Sequence, residues 1–171
     1  MGLRLRKYSL FSGLLTLMVS STLSPLQAAT AVATVEVNII NIISIATRNG
    51  LSFGDISSGD SAGTVTLSPS GNRTTTGGAT VNTATGAAPA TFDLEGTPNA
   101  GYAVTLPDSV VLNDGVGNTM TVDGFTSSPA AGGVLDPSGG HILYVGATLN
   151  VGNNQSFGSY SGKMAVTVDY N

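Results

Sequence analysis

The sequence has no cysteine and no tryptophan, one histidine, and only 9% charged residues among its 171. Each shortage removes a class of protein. Without cysteine there is no disulfide framework, no thiolate nucleophile and no cysteine-held metal. A lone histidine, His141, excludes a multi-histidine metal site and reads as a solvent-facing residue at the start of a strand rather than a general base. Serines are plentiful, but none sits in a G-x-S-x-G elbow, which argues against a serine hydrolase. Asp93 and Glu95, two apart in "TFDLEG", form the solvated face of a strand rather than a glycosidase pair. The sequence therefore reads as a non-enzyme with no cofactor and no resident metal.

Positive charge is scarce and unevenly placed. Arg4, Arg6 and Lys7 precede an apolar run over residues 8–19 and small residues near Ala28, the three parts of a secretory signal. The run is about a dozen residues, short of the roughly 20 that a spanning helix needs. Residues 1–28 are expected to be removed on export, with Ala31 the other cleavage point, and no membrane insertion is expected afterwards. What remains carries three basic residues (Arg48, Arg73, Lys163) against ten acidic ones, a formal charge of −7. That sign disfavours nucleic acid and anionic lipid as partners.

Helical periodicity is also missing, because Gly or Pro interrupts every window of a dozen residues. Short alternating segments take its place. Strands are expected near residues 31–46, 51–56, 63–68, 90–94, 102–106, 120–125, 142–151 and 160–170, separated by turn clusters such as "SSGDSAG", "EGTPNAG", "NDGVGN" and "DPSGG". "NDGVGN" lacks the ligand spacing of a calcium loop and reads as a hairpin turn. Gly146, in the middle of "HILYVGATLNV", marks a bulge or a close backbone approach. Residues 71–89 have the weakest pattern and are expected to be a long loop or a poor hairpin. Together these features predict an all-β antiparallel sandwich.

The two ends of the exported chain carry the strongest patterns. In "ATAVATVEVNIINIISIA" the residues Ala31, Ala33, Val35, Val37 and Ile39 share one parity. The segment is too long for one strand of a small sandwich. Its first part, residues 29–38, is therefore expected to project, leaving residues 39–171 as the body. In "GKMAVTVDYN", Met164, Val166, Val168 and Tyr170 alternate up to the last residue.

These ends resemble the pilins of bacterial chaperone-usher fimbriae. That family's C-terminal pattern is a glycine fourteen residues from the end, alternating apolar residues and a penultimate tyrosine, here Gly158 and Tyr170. "LSFGDI", "VGATL" and "YSG" are similar to elements of the cysteine-free, Mat/Ecp-like subunits and their secreted relatives. The resemblance implies an immunoglobulin-like sandwich missing its final strand, with an N-terminal donor strand presenting Ala31, Ala33, Val35, Val37 and Ile39. It implies a groove strand containing Gly158, Met164, Val166, Val168 and Tyr170. It further implies a periplasmic chaperone, an outer-membrane usher and copies of the chain itself as partners, and a place in a surface fimbria that supports cell adhesion. The alternative expectation is a self-contained secreted β-sandwich that binds a surface glycan or protein, with residues 31–46 simply its first strand.

Overall fold

A computed structural model of the chain describes residues 29–171; the expected export signal lies outside the described residues. Two units separate, Met1–Val37 and Asn38–Asn171. Within the first, residues 29–37 form no strand and their side chains are exposed. The second is all-β, and no helix occurs among the described residues.

Its strands are β1 (Ser44–Asn49), β2 (Ile56–Ser57), β3 (Gly63–Leu67), β4 (Arg73–Gly77), β5 (Thr80–Val81), β6 (Ala90–Glu95), β7 (Gly101–Thr105), β8 (Ser109–Asn113), β9 (Thr119–Ser128), β10 (Gly132–Val134), β11 (Gly140–Val151) and β12 (Thr167–Tyr170). Every pairing between them is antiparallel. β11 is the spine of the large sheet. Along one edge its first half pairs with β6 and its second half with β3, while β9 takes the other edge over Tyr144–Asn150. β1 extends the sheet beyond β6, β4 beyond β3, and β8 beyond β9. A smaller sheet, in the order β10-β7-β12, supplies the second layer, and β2 pairs with β5 apart from both.

Gly146 accounts for the change of partner along β11. A Cβ there would collide with the Leu67 carbonyl oxygen and the Ser68 backbone, so only glycine lets β3 come this close. The β9 register also slips between Gly146 and Thr148. The bulge expected from the sequence is present.

The core has two parts. One is closed: Phe92 and Leu94 of β6, Leu143 and Val145 of β11, Tyr102 of β7, Val168 of β12 and Leu135, just after β10, are all buried between the two sheets. The other lies on the inner face of β3, β9 and the second half of β11, with Phe53, Val65, Leu67, Val122, Leu149 and Val151 buried there. Here the small β10-β7-β12 sheet does not cover it, and only the short β2–β5 pair packs against it, through Ile56 and Val81.

Several expectations are corrected. The strand expected over residues 31–46 begins only at Ser44, and the one expected over 160–170 is confined to Thr167–Tyr170. Residues 71–89 contain β4 and β5 rather than a bare loop. β8 was absent from the expected set. His141 does not stand free in solvent: Nδ1 lies 3.0 Å from the Tyr102 hydroxyl and 3.1 Å from the Val134 carbonyl oxygen, with the two rings edge to face. The carbonyl can only accept, so the proton fits on Nδ1, where it is shared between the two oxygens. Burial holds the Tyr102 hydroxyl above its ordinary pKa of 10.0.

Candidate interaction groove

The open half of the sandwich contains a groove of about 970 Å³, at the upper end of the range for ligand pockets. One wall is Thr47 and residues 50–58; the other is residues 155–162 and Met164. Its floor is the inner face of the large sheet, including Val110, Leu112, Met120, Val122 and Leu149, and it extends to Phe92 at the edge of the closed core.

The walls face one another like an antiparallel pair that has been prised apart. Both ends are held by hydrogen bonds. At one end the Tyr170 hydroxyl donates to the Asn41 carbonyl at 2.8 Å and accepts from the Thr97 amide at 2.6 Å. The Asn41 amide in turn donates to Thr97 Oγ1 at 3.1 Å. Gly96 makes room for this phenol, since a Cβ there would meet the Tyr170 oxygen. At the other end the Asn154 amide donates to the Gly59 carbonyl at 2.8 Å and Ser58 Oγ to the Gln155 carbonyl at 3.2 Å. The junctions pair 41 with 170, 58 with 155 and 59 with 154, a nearly constant sum that fixes the walls as antiparallel.

Between the junctions the walls are unpaired toward each other. Residues 162–166 belong to no strand, and of residues 50–55 only Ser52 is bridged, on its outer side to Ala88. Unpaired backbone beside an apolar floor is the local structure of a sheet with a strand missing. A strand laid into the groove would run parallel to one wall and antiparallel to the other.

Each wall is braced from behind. Arg73 donates to the Phe53 and Asn82 carbonyls, tying the first wall to the turn after β5. In the second, Gln155 Nε2 donates to the Tyr160 hydroxyl at 2.9 Å, and that hydroxyl donates to the Ser156 carbonyl at 2.8 Å. Ser161 exchanges both backbone hydrogen bonds with Asn113. Phe157 stands at the rim with its side chain fully exposed (100%).

The residues singled out from the sequence divide accordingly. Met164 and Val166 are half-buried, Val168 is buried in the closed core, and Tyr170 holds the end junction. Gly158 lies in the rim loop, beside Asp114 and Tyr160, and not in a strand. Of the N-terminal set, Val35 (93%), Val37 and Ile39 are strongly exposed, as are Ala31 and Ala33. Sequence reasoning missed Asn41, Thr97 and Arg73. The break that Asn41 makes in an otherwise apolar parity was the available signal for the first of these.

The chain matches, over residues 43–170, the family described as Domain of unknown function (DUF4402), and it belongs to that family. Comparison with curated proteins and with solved structures returns no match.

Proposed function

We propose that this chain is a structural subunit of a surface fimbria, exported to the periplasm and assembled by a chaperone-usher pathway through donor-strand exchange. The observation that carries this reading is the strand-sized groove between residues 47–58 and 155–164. Residues 29–40 of the same chain supply the complementary feature, an apolar alternation with no buried face. The groove lacks a strand, and this segment lacks a sheet.

On this reading a periplasmic chaperone lends a strand to the groove, and at the outer-membrane usher residues 31–39 of another copy replace it. Val35, Val37 and Ile39 then contribute about 1.5 to 3 kcal/mol each on burial, and Ala31 and Ala33 less. Ladder hydrogen bonds along residues 162–166 add to this, and the exposed edge is removed. The resulting fibre supports cell adhesion at the surface.

The test is an unheated denaturing gel of the purified protein. A ladder of multimers that collapses on boiling, and that disappears when residues 29–38 are deleted, is the expected result. Val35→Asp is expected to remove the ladder while leaving the fold of residues 38–171 intact by circular dichroism. A folded wild-type chain that stays monomeric, or a ladder indifferent to Val35→Asp, overturns the reading.

A further inference from the structure

The charges on the walls and on the segment that would enter the groove are few enough to be taken one by one. Between residues 29 and 47 the only charged side chain is Glu36. Its parity is opposite to that of Ala31, Ala33, Val35, Val37 and Ile39, so when those face a sheet interior Glu36 faces out. The body offers three cations, Arg48, Arg73 and Lys163. Arg48 is engaged through Nε and Nη2 with the Asp93 carboxylate. Arg73 is turned inward onto the Phe53 and Asn82 carbonyls. Lys163 makes no ion pair among the described residues.

Lys163 also sits in the right place. It falls within 162–166, the stretch of the second wall that belongs to no strand. Its neighbours Gly162 and Met164 line the groove while Lys163 itself is exposed, so its side chain leaves the wall on the outer face. An inserted strand would present Glu36 on that same face.

We infer that Glu36 of one copy pairs with Lys163 of the next and sets the register in which the N-terminal segment enters the groove; this rests on the reading given under Proposed function. Directly opposed residues on adjacent strands bring their Cβ atoms to about 5 Å, within reach of a glutamate and a lysine. With Glu36 opposite Lys163, Val35 and Val37 lie opposite Gly162 and Met164 whichever direction the strand runs. The five apolar residues then fall between positions 158 and 168 of the wall, and each faces inward. A slip of one residue would turn all five outward and bury Glu36. A slip of two keeps the parity, so the hydrophobic pattern alone does not forbid it. The ion pair is what distinguishes that register from the correct one.

Charge reversal in the full-length chain tests this. Lys163→Glu and Glu36→Lys are each expected to slow ladder formation about two- to ten-fold at low ionic strength, and the double variant to return it to within about two-fold of wild type. Salt at about 0.5 M should erase the differences between the four proteins. Thermal unfolding of the monomers should be the same for all four, because both side chains are exposed. Single variants that assemble at the wild-type rate, or a double variant slower than either single one, overturn the pairing. If in that case Val35→Asp still abolishes the ladder, donor-strand exchange stands and only the register is wrong. A wild-type chain that forms no ladder overturns both.

Discussion

The two halves of this sandwich are built on the same strand, β11, and differ in what covers it. Over its first half, Leu143 and Val145 face the small sheet, and Tyr102, Leu135 and Val168 complete a closed core. Over its second half, Leu149 and Val151 belong to a core whose outer neighbours Val110, Leu112 and Met120 are only partly buried beneath the groove. The difference teaches where folding free energy is already complete and where apolar surface is left only partly covered. Removing the same side chain should therefore cost more in the first half. Leu143→Ala is expected to lower stability by about 2 to 5 kcal/mol, the range for a fully buried leucine. Leu112→Ala, at the groove floor, should lose no more than about half as much. Urea midpoints for the two variants decide it, and equal losses would mean that the halves are equally closed.

The converse experiment fills the open half. A peptide with the sequence of residues 29–40, added to the monomeric Val35→Asp chain, is expected to stabilise it by about 2.7 kcal/mol when present at one hundred times its dissociation constant. Hydrogen exchange should slow along residues 162–166, which have no ladder now, and change little in β6, which is already paired on both sides. Protection appearing equally in both halves would break the distinction between them.

The same contrast explains how much was legible in the sequence. Ala90–Glu95 and Gly101–Thr105 of the closed half, Gly63–Leu67 of the open half and Gly140–Val151, which spans both, were readable within a residue or two, because their alternation reports a face that this chain itself buries. Residues 31–39 and 160–166 alternate just as well, yet neither is a strand in the structure. Alternation records which face can be buried, and pairing needs a neighbour that the chain does not place there. β4, "RTTTG", and β8, "SVVLN", were overlooked for the opposite reason: each sits at the end of a chain of paired strands, where one neighbour suffices and a clean apolar face is not required. The groove's end junctions were invisible for a third reason. Tyr170 and Asn41 are 129 residues apart, and no local pattern encodes a hydrogen bond between them.

That junction gives a smaller effect. Tyr170→Phe keeps the ring against Gly96 and removes the hydroxyl that joins the Asn41 carbonyl to the Thr97 amide. A loss of about 0.5 to 1.5 kcal/mol is expected, the ordinary worth of such a hydrogen bond. Exchange at the Thr97 amide should quicken by a comparable factor, while Asn154 at the opposite junction stays unchanged. If both ends loosen together, the groove opens as one unit rather than being held separately at each end.

The smallest expected effect compares one aspartate turn from each half. Asp114 closes the β8–β9 hairpin of the open half, accepting from the Asn118 side chain and from the Val116 and Asn118 amides. Asp136 closes the β10–β11 turn of the closed half, accepting from the Ser138 hydroxyl and from the Ser138 and Gly140 amides. These bonds hold both carboxyls below the ordinary value of 3.8, led by the Asn118 side chain for the first and by the Ser138 side chain for the second. A carboxyl whose pKa is depressed by folding stabilises the fold above 3.8 and loses that contribution as pH falls through the folded value. Both turns should therefore weaken only below about pH 4, and raising the pH from there to neutrality should leave them unchanged. Amide shifts of Asn118 and Gly140 followed through an acid titration report the two turns separately. Loosening the Asp136 turn strains a core that is already closed, whereas the Asp114 turn lies beside Gly158 at the groove rim. Acid should accordingly move the chemical shifts of residues 156–160 with those of Asn118, should still do so when Asp136 is replaced by Asn, and should no longer do so when Asp114 is replaced by Asn.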